Sequence, residues 1–413
     1  MLRLARSEAS VTAATPLTSA VTPAVVIGSG LGALGALRLL NRAAIPTYSL
    51  TAEPSVESRS RWFCSVPGVR EPLRNEASLA QLLETCSLDH AVLIPCSDSA
   101  VNAICQFPRG LARRFPSSTP PSAVTTQLSN KAEFARLLCR LGVPRPRTLV
   151  VGDGEDLEQF AGGHFEHFFL KPVDSASFAL RYGVKGCRVR TLADARTQLS
   201  CLEADGQAVV VQEYVPGPPS SYFLIDGFSD SRGEICALFA RRRIRMFPAG
   251  LGNSTCMVSV PLSEVEPAAR VLRTILSTIR YRGIFSAEFK KDARDGALKI
   301  LEINARVWIY VEFTGRCGVD VCTMAYRDAL GLPLGLPQSY RAGARLVLPY
   351  GDLAAAYGAW QHGQLAVGAW LSSWIGAQQP HFNWSDPAPA MHEWSNICGR
   401  ILRRTLRRRP AVA

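Results

Sequence analysis

The stretch IFSAEFKKDARDGALKILEINAR, from Ile284 to Arg306, limits what this chain can fold into more than any other. An Asp-Gly pair between two apolar runs is a strong short-range hairpin signal. It predicts strands over 284–291 and 297–304, joined by a turn at 292–296. Side chains alternate between the faces of a strand, so Ile300, Glu302 and Asn304 are expected to share one face. Phe285, Ala287 and Phe289, with Leu298, Leu301 and Ile303, make other positions apolar, so the hairpin is at least half buried. Positions paired across a hairpin have a constant index sum. A turn centred near Arg294 or Asp295 therefore sets Glu288 opposite Glu302, or one diagonal step away. Two carboxylates that close repel, and burying them unpaired is costly. Either both glutamates face water, or a divalent cation removes the conflict. Mg²⁺ takes hard oxygen ligands, typically one or two carboxylates plus substrate phosphates. Asn304 adds a carbonyl oxygen on the same face, and Arg306 adds a fixed positive charge suited to phosphate oxygens.

Glu288, the hairpin, and then Glu302-x-Asn304-x-Arg306 resemble the metal-binding end of the ATP-grasp superfamily. The nearest likeness is to the ATP-dependent carboxylate–amine ligases and the carbamoyl-phosphate synthase large chain. Other motifs similar to that fold precede the hairpin in the family's order. Ser129-Asn130-Lys131 opens a capped helix through Leu141 that leads to Gly142-Val143-Pro144-Arg145-Pro146. The resemblance implies that Lys131 reaches the ATP phosphates, whereas a surface lysine is the structural alternative. Phe168–Pro172 reads as a strand ending in Lys171, which the resemblance places on the α- and β-phosphates. The loop 173–186 then resembles the phosphate-covering loop of the family. It has only Gly183 and Gly186, so Lys185 stands as a compensating charge. A strand over 208–211 runs into Gln212-Glu213-Tyr214-Val215-Pro216-Gly217, which resembles the adenine hinge. There the backbone of Glu213, Tyr214 and Val215 would meet adenine, with Gln212 or Glu213 adding a side chain. The acidic ribose ligand of the family has no counterpart in Pro218-Pro219-Ser220-Ser221, which leaves a serine or Asp226. Strands over 223–226 and 235–240, a helix over 266–281 and a helix over 311–330 complete the reading.

Ahead of these motifs, a short strand at 24–27 meets Gly30, Gly32 and Gly35, a G-x-G-x-x-G pattern with Glu53 about twenty residues on. Alone this suggests dinucleotide binding, but any tight strand-to-helix turn favours glycine. The resemblance implies a front domain of Rossmann-like shape that holds no nucleotide. A second strand, 91–95, ends in Ser97 and Asp98, placed either to touch substrate or to cap a helix.

Composition sets the remaining bounds. A chain of 413 residues, 47% hydrophobic and 19% charged, is globular and long enough for two to four domains. It has no apolar run of membrane-spanning length. Twelve cysteines without a C-x-x-C pair fit reduced thiols and a cytoplasmic location. Part of the net charge of +12 is the run Arg400, Arg403, Arg404, Arg407, Arg408 and Arg409. No aromatic residue interleaves with it, so a frayed, solvated terminus is expected rather than a nucleic-acid site. Arg241–Arg243 and Arg245 instead suit an anionic nucleotide or substrate.

The expectation is thus an α/β and α+β chain. It comprises a disordered tail over 1–22, a Rossmann-like pre-ATP-grasp domain over 23–120, a two-lobed ATP-grasp domain over 121–335 and a C-terminal appendix with a basic tail over 336–413. The resemblance implies ATP and Mg²⁺ as cofactors, with the ion on Glu288, Glu302 and Asn304. Lys131 and Lys171 would come from the lobe opposite the ion, and Arg306 would act in catalysis. A small-molecule carboxylate would be activated as an acyl phosphate and captured by an amine, releasing ADP and phosphate; a homodimer is allowed. No Ser–His or Cys–His arrangement calls for a covalent nucleophile. The rivals are a biotin- or bicarbonate-type carboxylase and an ATP-binding regulatory or assembly module without turnover.

Overall fold

The computed structural model describes residues 21–51, 55–71, 73, 78–151, 157–161, 168–173, 178, 186–248 and 252–407. Three sheets organise them. In the first, β1 (Ala24–Ile27) lies between β2 (Thr47–Leu50) and β3 (Val92–Pro95), all parallel. β1 and β3 are buried at every position, as parallel strands covered on both faces should be. The second sheet is antiparallel. It holds β4 (Thr148–Val150), β5 (Phe168–Pro172), β6 (Cys187–Val189) and β7 (Val209–Glu213) in the order β4-β7-β5-β6.

The third sheet is the largest, and also antiparallel. Its strands are β8 (Tyr222–Ser229), β9 (Ile235–Phe247), β10 (Asn253–Val260), β11 (Gly283–Lys291), β12 (Leu298–Asn304) and β13 (Arg345–Val347). Their order is β12-β11-β8-β9-β10-β13. The two strands expected over 223–226 and 235–240 are therefore longer than their apolar cores. β9 carries the arginine run inside the sheet, because buried acids and hydroxyls meet its inward positions.

The glycines after β1 serve packing. The helix Gly30–Arg42 lies so close to residues 308–312 that a Cβ on Gly35 would come within 2.8 Å of Val311 Cγ1. At its start the Gly30 amide donates to the Glu57 carboxylate at 2.7 Å. That acid occupies the place where a dinucleotide fingerprint would present its amides to pyrophosphate. Ser97 turns out to be a helix cap, accepting from the Ala100 amide.

The helix expected over 311–330 is two helices, Val311–Arg316 and Val321–Ala329. Gly318 breaks it at φ +113°, a backbone region that L residues avoid, and Asp320 caps the second segment at the Thr323 amide. Both pack on the Gly30 helix and on β8–β10, so the front sheet and the large sheet share one apolar core.

The described part of the C-terminal segment, residues 336–407, is tied into the large sheet and the first helix. β13 pairs with β10 to extend the large sheet. Arg38, 3% exposed, spends all five N–H donors on the C-terminal segment and on Glu312. It donates to Asp386 Oδ2, Glu312 Oε2 and the carbonyls of Pro380, His381 and Asp386. Asp352, wholly buried, accepts from Arg245 twice, Thr255, Trp370 and Trp374. The last helix, Ala388–Arg407, runs through most of the arginine run that was expected to fray. No helix among the described residues is long and apolar enough to cross a membrane.

Candidate functional site

The hairpin forms with Glu288 directly opposite Glu302, not diagonal to it. Its register shifts one step farther on, where Phe289 pairs with Ile300 and Leu301 is left over as a β-bulge. The bulge alters which side chains share a face. Ile300 joins Ile303, Phe285, Ala287 and Phe289 in the core, contrary to the expectation that it would share a face with Glu302. Leu301 turns the other way and lines a cleft with Lys131, Phe134, Arg145, Lys171 and Gln212.

The paired carboxylates differ in their surroundings. Burial pushes Glu288 up, and Glu302 adds to the rise, while Arg243 at 3.6 Å opposes it. Glu302 is pulled down to about 2, chiefly by Lys131, whose Nζ lies 3.3 Å from Oε2. Asn304 Nδ2 donates to Glu302 Oε1 at 3.3 Å. Its Oδ1 faces Arg306 Nη2 at 3.5 Å, so a flip of the amide would bring the oxygen to the glutamates. Among the described residues no cluster of three or more His, Cys, Asp or Glu side chains suits a metal. Two facing carboxylates and an amide oxygen still fit a hard cation that takes its remaining ligands from phosphate and water.

The cations converge from three directions. Lys171, at the end of β5, donates to Gln212 Oε1 at 2.7 Å. Burial, then the charge of Lys131, pushes it down to about 8. Lys131 stands where the two antiparallel sheets meet: its amide donates to the Val173 carbonyl just past β5 at 3.4 Å, and its Nζ reaches Glu302. Its helix, Lys131–Arg140, sinks Phe134, Leu137 and Leu138 into the core beneath the hairpin, so the Lys131 head approaches from the acidic side. Arg306 reaches instead toward the front sheet, where Nε bonds Asp98 Oδ2 at 2.9 Å.

Gln212 and Glu213 point to opposite faces of β7, and only Gln212 faces Lys171. The Glu213 carboxylate accepts from the Arg147 amide and lies 3.3 Å from both Lys299 and Arg294. Its own amide donates to the Arg147 carbonyl. Past the strand end, Tyr214 enters a row of alternating cations and rings. Arg188 stands 4.4 Å from the Tyr214 ring, Lys290 lies 4.5 Å from the rings of both Tyr214 and Tyr222, and Arg243 stands 4.2 Å from Tyr222. Cation–π contact explains how Lys290 tolerates burial, although burial and then Arg243 push it down to about 8. Lys290 was not singled out in the sequence, yet its place two residues after Glu288, on the same strand face, was a usable signal.

Other expectations fail on contact. Asp226 is wholly buried and bound to Arg241 and Ser286, which removes it as a ribose ligand. Arg241 and Arg245 are likewise taken by Asp226 and Asp352, leaving Arg243 to face the site. Lys185 and most of the loop 173–186 lie outside the described residues, as does Glu53.

No protein-family model matches the chain. It is 24% identical over 228 residues to D-aspartate ligase of Enterococcus faecium (strain Aus0004), covering 52% of this chain and 53% of that protein. It therefore spans about half the length of the curated relative it matches. In three dimensions it resembles carboxyaminoimidazole ribonucleotide synthase from Aspergillus clavatus complexed with ATP, with a TM-score of 0.59 and 16% identity, over 79% of this chain and 82% of that one. It also resembles the biotin carboxylase domain of Hydrogenobacter thermophilus 2-oxoglutarate carboxylase in complex with MgADP and bicarbonate. There the TM-score is 0.57 and the identity 18%, over 78% of this chain and 73% of that one. At identities this low the likeness is one of fold.

Proposed function

The chain has the ATP-grasp fold, and from that premise we propose that it is an ATP- and Mg²⁺-dependent ligase joining a small-molecule carboxylate to an amine. The observation that carries this reading is the facing pair Glu288 and Glu302, with Lys131 and Lys171 converging on it. Glu288, Glu302 and Asn304 would hold Mg²⁺, which neutralises charge on the β- and γ-phosphates when bound. Lys171 and Lys131 hold the phosphate chain, with Lys185 as a third cation from the covering loop. Gln212, Glu213, Tyr214 and Val215 receive the adenine, Glu213 and its followers through the backbone. Arg306 stabilises charge as the carboxylate oxygen attacks the γ-phosphorus and the bond to the β-phosphate oxygen breaks. The acyl phosphate then loses phosphate to an attacking amine. On this reading residues 23–120 form the pre-ATP-grasp domain, 121–335 the ATP-grasp domain and 336–413 a C-terminal extension.

The similarity to D-aspartate ligase makes amino acids, D-aspartate among them, the first substrates to offer. The experiment incubates purified protein with Mg-ATP and amino-acid pools, measures ADP, AMP and phosphate separately, and adds hydroxylamine. ADP, phosphate and a hydroxamate are expected. AMP without ADP would overturn the mechanism whatever the fold.

A further inference from the structure

We propose that Arg243 is a further binding residue for ATP: its guanidinium receives an oxygen of the phosphate chain directly, from the large sheet, rather than through the metal. The proposal rests on the reading of this cleft as the ATP site.

The guanidinium is held in place but not satisfied. Nε donates to Ser254 Oγ at 2.9 Å, and Cζ stands 4.2 Å from the centre of the Tyr222 ring. Nη1 meets the weak acceptor Met246 Sδ at 3.7 Å. Nη2 lies 3.6 Å from Glu288 Oε2, an ion-pair distance too long for a hydrogen bond. The side chain is 6% exposed, and a buried donor left unfilled is costly. Its neighbours at alternate positions of β9 show the settled arrangement. Arg241 and Arg245 each grip one carboxylate through Nε and Nη2, on Asp226 and Asp352. Arg243, between them, has no such bidentate partner.

Its place is on the path of the nucleotide. β8 pairs Phe223 with Arg242 and Tyr222 with Lys290. Arg243, Tyr222 and Lys290 therefore stand abreast across three strands, two residues nearer Tyr214 than Glu288 is. A phosphate chain running from a base at Tyr214 to an ion at Glu288 passes this row. The row also carries surplus positive charge, because Lys290, 2% exposed, shares the Tyr222 ring with Arg243. An ion on Glu288 would take up the charge that Arg243 now faces and would repel the guanidinium beside it. An anionic oxygen that reaches Nη2 removes that conflict and fills the open donor at once.

Titration calorimetry of the full chain with MgATP, and with ATP in EDTA, tests this. Arg243→Met should weaken both ligands at least about tenfold, the scale of one hydrogen bond to a charged group. Should that variant unfold, Ser254→Ala, which removes the anchor of Nε, replaces it with an expected loss of about threefold; no loss there overturns the proposal. If Arg243 serves only to balance Glu288, its removal frees that carboxylate for Mg²⁺. Arg243→Met then binds MgATP as tightly as the wild type or more so, which overturns the proposal. An equal loss for adenosine, which carries no phosphate, also overturns it, because the loss would then be one of packing. A wild type that binds neither ATP nor MgATP overturns the ATP reading of the cleft itself, a result distinct from all of these.

Discussion

The two ends of the β11–β12 hairpin treat charge in opposite ways. At the turn end, Asp292 is wholly buried and receives Arg294 at 2.6 Å and Lys299 at 2.7 Å. Glu213 joins the same two cations, so two acids meet two bases. Burial alone would raise Asp292, but hydrogen bonds from Arg294 and Lys299 override it and hold the carboxyl well below its usual range. At the open end, Glu288 and Glu302 face each other, each with a single cation nearby, at 3.6 and 3.3 Å, where Asp292 has two at 2.6 and 2.7 Å. Charge-assisted bonds in a settled pair run ~2.7–2.9 Å. A completed network stabilises the fold, whereas an incomplete one leaves room for a ligand to complete it.

Breaking the open end should affect catalysis most. Glu302→Gln removes one carboxylate without changing volume. Mg-dependent ATP turnover should fall about 10³-fold, the scale of losing several kcal/mol of charge stabilisation, while the melting temperature holds or rises. Unimpaired turnover at saturating Mg²⁺ would show that the open end is not a metal site.

Asp292→Asn breaks the closed end and should do the reverse, costing about 3 kcal/mol of stability. That is the low end for a buried pair, because Arg294 stays partly in water, 40% exposed. Turnover at low temperature should survive. The folded pKa of Asp292 is depressed, so its contribution is present above the unfolded carboxylate range, about pH 4, and is lost as pH falls through the folded value. Wild type and variant should therefore converge in urea melts run at acid pH, and a constant gap down to the acid limit would contradict the network. The hairpin, its turn and the Glu288–Glu302 pair were legible in the sequence because a few neighbouring residues determine them. The spare residue Leu301 was not, since only pairing with β11 exposes it. Nor were the partners of the arginine run. Arg245 meets Asp352 from 107 residues away, and Arg38 meets Asp386 from 348 away. No local pattern encodes such pairs; they follow from where whole sheets and helices come to rest.

The third test concerns Lys171, which sits between the two regimes. Its lysine is pushed down to about 8, so it loses its proton as pH rises through that value and ATP should bind less well. The loss should be roughly tenfold from pH 7 to 9, one pKa unit being worth ~1.4 kcal/mol. Lys171→Arg should flatten the profile, because arginine keeps its charge there. An affinity independent of pH in the wild type would put Lys171 away from the phosphates. The smallest effect is expected at Asp98, 53% exposed in its pair with Arg306. Asp98→Asn should change stability by less than about 1 kcal/mol while releasing the Arg306 guanidinium for substrate. A larger loss on thermal melting would mean that this contact belongs with the closed end.

Leu301 has one further consequence. Counting along β12 without it, the strand alternates regularly: Ile300 inward, Glu302 outward, Ile303 inward, Asn304 outward. The residue is surplus to the hairpin's arithmetic, present only as an added side chain over the cleft. A gene lacking that one codon should still specify the same ladder and the same pair of acids, with a hole where the cleft now has an apolar floor. Chain length at this point is thus a dial for the shape of the cleft, one that can be turned by a single residue without disturbing the charges beside it.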